Sequence, residues 1–164
     1  LCVAIEKILK INTKLKWPND VTIKGKKVAG VLINASIISN QIENMILGIG
    51  INFKINANEL KNSIKKTPNF YGVTTLVKKN ENMSPLIKQF LCELEKILQL
   101  INSGQIKKIR NGWIKRSSTI GRNVSIITNE GRINGKALRI DNDGGLIISK
   151  GKKTRRILVG DIKE

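Results

Sequence analysis

Lys16-Trp17-Pro18-Asn19-Asp20 places an amine, an indole, a carboxamide and a carboxylate within one short stretch. Pro18 fixes its own φ, lacks a backbone N–H and drives Trp17 towards extended backbone. Asn19 and Asp20 favour turns, because their side chains bond nearby backbone. The stretch therefore presents Lys16 at the end of a strand, beside an indole, on a stiff turn. Lysine in such a place is a compact point charge. An ordinary strand-to-turn junction with an exposed lysine would use the same residues. Further on, Lys27-Val28-Ala29-Gly30-Val31-Leu32 supplies a second lysine and a glycine. Gly48-Ile49-Gly50-Ile51-Asn52 supplies two glycines and a carboxamide. Glycine inside a strand marks close approach by a ligand or another backbone, or tight packing alone.

Competing chemistries fall away. The 164 residues contain no histidine, which removes histidine-activated nucleophiles and most zinc sites. Two cysteines, Cys2 and Cys92, lie in separate amphipathic stretches and read as buried small apolar groups rather than a disulfide. There is no G-x-x-x-x-G-K-[ST] phosphate loop. Gly48-Ile49-Gly50 lacks the third glycine of a dinucleotide fingerprint and opens no helix.

The elements that must position these residues follow from spacing. Leu1 to Ile11 carries Leu1, Ile5, Ile8 and Leu9 at helical intervals, with Asn12-Thr13 ending the helix. Lys14 to Trp17 reads as a short strand. Val21 to Ile23 and Val28 to Ile33 flank Lys24-Gly25-Lys26, a hairpin signal. The apolar runs Val31 to Ile33 and Met45 to Ile51 fit strands buried on both faces. The polar stretch from Ala57 to Phe70 reads as a surface loop, and Tyr71 to Val77 follows it. Ser84 as N-cap and Pro85 in the first turn open a helix that carries Leu86, Phe90, Leu91, Leu94, Ile97, Leu98 and Ile101 and stops at Gly104. A further helix covers Gln105 to Lys115. After it come short strands over 123–128, 132–140, 146–149 and 154–159, separated by turns, as in a small barrel.

Composition bounds the partners. The chain is 40% hydrophobic, enough for a real core, and its net charge is +18. That charge attracts nucleotides, nucleic acid or an acidic protein. The lysines are spread along the chain and aromatics make up only 4% of it, so no basic-aromatic platform is concentrated anywhere. No apolar run approaches the roughly 18 residues that span a membrane. The N-terminal stretch lacks a signal-peptide core, and a cytoplasmic location is expected.

Three segments in order, Lys16 to Asp20, Lys27 to Leu32 and Gly48 to Asn52, resemble the KWPND, K-(V/L)-(A/G)-G-(I/V)-L and G-(I/V)-G-(I/V)-N segments of biotin protein ligases. Ser117 to Arg122, Ile133 to Ile140 with Gly135, Asp143-Gly144-Gly145-Leu146 and Val159-Gly160-Asp161 resemble the SH3-like C-terminal domain of the same family. The resemblance covers essentially the whole chain. It implies an α+β fold, a partial mixed sheet with flanking helices akin to class II aminoacyl-tRNA synthetases, over residues 1–116. An SH3-like β-barrel follows over 117–164.

The implied reaction has two steps. The biotin carboxylate attacks the α-phosphate of ATP, with Mg²⁺ as the nucleotide's counter-ion, giving biotinyl-5′-AMP and pyrophosphate. A lysine of a biotin carboxyl carrier protein domain then takes the biotinyl group and releases AMP. On the resemblance, Lys16 is the catalytic cation. Lys16, Asn19, Lys27, Gly30, Gly48, Gly50 and Asn52 bind biotin and ATP, and Asn52 is a possible contact to the Mg²⁺ of Mg-ATP. A homodimer stays open, and neither a membrane nor nucleic acid is the expected partner. Asn34 stands where the family often has an acidic residue. The family's GRGRxGR loop lies upstream of the helix that Leu1 to Ile11 resembles and is absent from these residues. A ligase truncated at its N-terminus and impaired on its own is the expectation. The alternatives are a non-catalytic, basic nucleic-acid-binding module with an SH3-like barrel and, more distantly, a lipoate ligase.

Overall fold

In a computed structural model, the structure describes residues 1–39, 41–54, 72–77 and 81–163. Helix α1, Cys2–Leu9, buries Cys2, Ala4 and Ile5 and ends at Lys10, whose φ of 58° is left-handed. The helix therefore stops just short of the Ile11 expected from its apolar spacing. Strands β1 (Lys14–Lys16), β2 (Asp20–Ile23), β3 (Lys26–Ile38) and β4 (Gln41–Ile51) form one antiparallel sheet in the order β1-β2-β3-β4. Lys24 and Gly25, at φ 49° and 77°, close the β2–β3 hairpin. Two positive φ values match a tight turn to the right-handed twist of the strands.

One face of this sheet is covered by α1 and by helix α2, Ser84–Asn102. Ile5, Val21, Val28, Ala29, Leu76 and Leu86 form the core there, with Leu15, Ile51 and Phe90 packed against it. Pro85 lies in the first turn of α2 as expected. Ser84, however, is the first helical residue rather than the cap, and its N–H donates to Asn82 Oδ1 at 2.9 Å. Helix α3, Ile106–Arg116, follows Gly104, whose φ is 69°. Glu6 ties α1 to α3 by accepting from Arg116 Nη2 at 3.0 Å, and it also accepts from the Thr13 hydroxyl at 3.2 Å.

The remaining strands are β5 (Asn123–Thr128), β6 (Gly131–Ile140), β7 (Leu146–Lys150), β8 (Lys153–Ile157) and β9 (Asp161–Lys163). They form a second antiparallel sheet in the order β8-β7-β6-β5-β9. Its core is Val124, Ile126, Ala137, Leu146, Ile148, Ile157 and Ile162, together with Trp17 from the other end of the chain.

The α+β class is as expected, with three differences of detail. All the ladders described are antiparallel, and parallel pairing is confined to isolated bridges, Leu15 with Ser117 and Lys27 with Val73. The run Val31 to Ile33 is not buried on both faces: Leu32 is 60% and Ile33 54% exposed. In β3 burial ends at Ala29, because the strand runs beyond the residues that pack against α1 and α2. Both cysteines are free thiols; Cys2 is buried as expected, whereas Cys92 is exposed on α2. The loop expected over 57–70 and the start of the segment at Tyr71 lie outside the described residues. Among the described residues no helix is long and apolar enough to cross a membrane.

Candidate ligand-binding face

Residues directly opposite in an antiparallel ladder share a face. The register aligns Lys16 with Asp20, Asp20 with Gly30, and Gly30 with Gly50, one row across four strands. The next row on this face pairs Leu32 with Gly48. The adjacent row, Leu15, Val21, Ala29 and Ile51, belongs to the core face. The sheet thus has one side packed by helices and another whose floor is glycine.

A β-bulge aims Lys27 at the glycine side. Val21 pairs with Ala29 but Thr22 pairs with Lys27, so Val28 is an extra residue on β3. In unbroken alternation, residues three apart point to opposite faces. The bulge absorbs one step. Val28 and Ala29 are both buried at the core, and Lys27 lands on the same side as Gly30. Its ammonium lies 2.5 Å from Asp20 Oδ1. A Cβ on Gly30 would stand 3.2 Å from both Cε and Nζ of Lys27 and 3.4 Å from Asp20 Oδ1. The ion pair therefore lies across Gly30, and the missing side chain is what makes room for it. At Gly50 a Cβ would meet nothing within 4 Å, and at Gly48 only the Leu32 carbonyl, at 3.5 Å.

The Lys27 backbone is pinned from both sides. Its N–H donates to the Gly72 carbonyl at 3.0 Å, and its carbonyl accepts from Thr74 N at 2.8 Å and from Asn52 Nδ2 at 3.4 Å. Asn52 N–H also donates to the Val28 carbonyl at 2.8 Å. Asn52 thus supports the bulge. The exposed Asn19 pins the turn to β3, its carbonyl accepting from Val31 N at 3.0 Å.

Lys16 belongs to the same row by register, yet its side chain is only 4% exposed and its amine is buried. It lines a cavity of about 300 Å³ at the seam with the second sheet, beside Ser118, Thr119, Arg122 and Lys163. The structure therefore brings Asp20, Lys27, Gly30 and Gly50 together, with Lys16 buried in the same row and lining a cavity shared with the second sheet. Asp20, as the partner of Lys27, is the residue that pattern reading leaves in the turn.

This arrangement can bind a flat, anionic ligand. The Lys27 side chain is 38% exposed. An ion pair at such a site is worth at most about 1 kcal/mol, so an incoming carboxylate or phosphate competes with Asp20 for the ammonium. Gly30, Gly48 and Gly50 leave space for a planar group over the floor.

Two segments of the chain match known families. Residues 2–52 match the biotin/lipoate A/B protein ligase family, and residues 119–163 match the biotin protein ligase C-terminal domain. The bifunctional ligase/repressor BirA of Bacillus subtilis is 28% identical over 159 residues, 97% of this chain and 48% of that protein. The biotin–[acetyl-CoA-carboxylase] ligase of Mycobacterium tuberculosis is 30% identical over 152 residues, 92% of this chain and 52% of its own length. The chain spans about half the length of these curated relatives. The apo crystal structure of the Aquifex aeolicus biotin protein ligase superposes with a TM-score of 0.80 at 27% identity, over 99% of this chain and 70% of that one. The same enzyme in complex with biotin and ATP gives 0.74 at 27% identity, over 99% and 66%. The matched segments carry both the glycine-floored sheet and the second sheet, and each is similar to the corresponding part of the biotin protein ligases.

Proposed function

We propose that this chain carries the lysine-and-glycine side of a biotin protein ligase site. The activity is ATP-dependent conversion of biotin to biotinyl-5′-AMP, followed by transfer to a lysine of a biotin carboxyl carrier protein domain. The observation that supports it is the Lys27 ammonium held over Gly30 by Asp20, beside the open floor at Gly50. Both steps bring anionic groups together, and a preplaced cation lowers the cost of the charge that develops. The amine that meets this requirement is Lys27, half-exposed on the glycine face, rather than the buried Lys16. Gly30, Gly48 and Gly50 let the flat rings of biotin or adenine approach the backbone. Asn19 and Asn52 hold the turn and the bulge.

Among the described residues no group of three His, Cys, Asp or Glu side chains could hold a metal ion. Asn52 gives its amide N–H to the Lys27 carbonyl, so the oxygen of its side chain is the atom that would face a nucleotide-bound cation. Mg²⁺ would enter with the nucleotide phosphates, which supply most of its ligands. We divide the chain into a catalytic portion, 1–116, and a C-terminal SH3-like unit, 117–164, whose strands share one core. ATP use and two free thiols agree with a cytoplasmic setting.

The test is titration with biotin and with ATP, and biotin transfer to a carrier domain by the protein that contains these residues. Biotin-dependent labelling of the carrier lysine, lost on Lys27→Ala, is the expected result. Transfer that survives Lys27→Ala at the wild-type rate would refute the role given to Lys27. Tight, steeply salt-dependent RNA or DNA binding without biotin or ATP binding would favour a nucleic-acid module instead.

A further inference from the structure

Trp17 sits between the two sheets and is 3% exposed. Its ring is part of the core of the second sheet. Its backbone N–H donates to Thr119 Oγ1 at 3.0 Å, and its indole Nε1–H donates to the Gly144 carbonyl at 3.0 Å. The receiving loop is built to hold that carbonyl. Asp141 Oδ1 accepts from the N–H groups of Asp143 at 2.9 Å and Gly145 at 2.8 Å. Arg156 bridges Asp141 and Asp143, and Arg110 bonds Asn142. Beside Trp17, the Leu15 carbonyl accepts from Ser118 N at 2.8 Å and from Ser118 Oγ at 3.1 Å.

On the other side of the turn is Asp20, whose carboxylate holds Lys27 over Gly30. The turn is therefore anchored at one end in the second sheet and at the other in β3, where Asn19 meets Val31. We propose that Trp17 is a positioning residue: the second sheet fixes the turn through Trp17, the turn fixes Asp20, and Asp20 fixes the Lys27 amine. The functional meaning rests on Lys27 as the ligand's cation. In this reading the C-terminal unit acts on the ligand face through one indole and needs no ligand contact of its own.

The test requires no ligand, so it is independent of the biotin and ATP titrations that decide the proposed function. The folded chain is pulsed with N-hydroxysuccinimidyl acetate, and acetylation at each lysine is followed by mass spectrometry. Asp20→Asn frees Lys27 and speeds its acetylation about two- to fivefold, the range a partly exposed ion pair supplies. Trp17→Phe keeps an aromatic ring, removes the bond to Gly144, and speeds Lys27 to the same extent. The double variant is no faster than Asp20→Asn alone, because both changes act on one restraint. Lys7, paired with Glu93 at 2.8 Å, keeps its rate and shows that the loosening is local. If Trp17→Phe does not fold, Thr119→Val removes the other bond and carries the same expectation. An unchanged Lys27 rate in the folded variant, additive rates in the double variant, or acceleration at Lys7 in step with Lys27 each overturn the proposal.

Discussion

Lys27 and Asp20 meet at 2.5 Å directly over Gly30, the one position in their row where a side chain would collide with the pair. The ion pair and the glycine are thus one device. A methyl group at 30 would press on the far end of a flexible lysine, which can move aside, so the fold survives. The amine would then leave its place. Gly30→Ala is expected to shift the melting temperature little while weakening biotin or ATP binding by about tenfold, the loss of roughly one charge-assisted hydrogen bond. Calorimetric titration and a thermal melt on the same sample separate the two effects. A large fall in stability with unchanged affinity would place Gly30 among packing residues.

Lys27 and Lys16 predict opposite phenotypes. Lys27→Met removes a half-exposed charge from the glycine face, so ligand affinity falls and the melting temperature holds. Lys16→Met replaces a buried amine in the seam with an apolar chain of similar length. Because the amine is buried, the main effect is expected in stability, with ligand affinity falling less than in Lys27→Met. Affinity lost in Lys16→Met and kept in Lys27→Met would restore Lys16 as the reacting cation.

That sequence reading put Lys16 first and Lys27 second has a physical reason. The hairpin turn at Lys24-Gly25 is legible, and it fixes Ile23 opposite Lys26 and Thr22 opposite Lys27. Continuing that count without interruption puts Val21 against Val28 and Asp20 against Ala29. The true partners are Ala29 and Gly30. The bulge that makes the difference leaves no mark in the sequence, since Val28 and Ala29 are ordinary strand residues. Trp17 has a similar history. Its extended backbone beside Pro18 could be read locally, but its two bonds are to Thr119 and Gly144, more than one hundred residues away. The helices α2 and α3 and the strands β5 to β8 were legible because they repeat a short-range pattern, whereas the three-residue β9 is too short to show one.

Burial separates the residues of α2 sharply. Leu86 is 1% exposed and is the fully buried side chain of that helix among the described residues, whereas Leu91 is 55% exposed. Leu86→Ala opens a cavity beneath Val28 and Ile5 and is expected to cost about 2–5 kcal/mol in urea unfolding of this chain. Leu91→Ala is expected within about 0.5 kcal/mol. Equal costs at the two positions would mean that α2 lies on the sheet by a different face.

The junction of α1 and α2 is acid-sensitive. Glu93 accepts from Lys7 Nζ at 2.8 Å and Lys96 Nζ at 3.0 Å, and these bonds hold its carboxyl down at about 2, from an ordinary 4.5. Burial pushes Glu6 up, but the hydrogen bond and charge of Arg116 and the bonds from Thr13 outweigh it, and the net direction is also down. A carboxylate whose folded pKa is depressed binds its proton more readily in the unfolded chain. Its contribution is therefore complete above the ordinary carboxylate range and fades as pH falls from about 4.5 towards 2. The chain should lose melting temperature across that window, and Glu93→Gln should lose less, because its amide no longer titrates. At pH 6 the variant starts lower than wild type, and the two curves converge near pH 2. Parallel curves, with the same drop in both proteins, would show that Glu93 does not carry this part of the acid response.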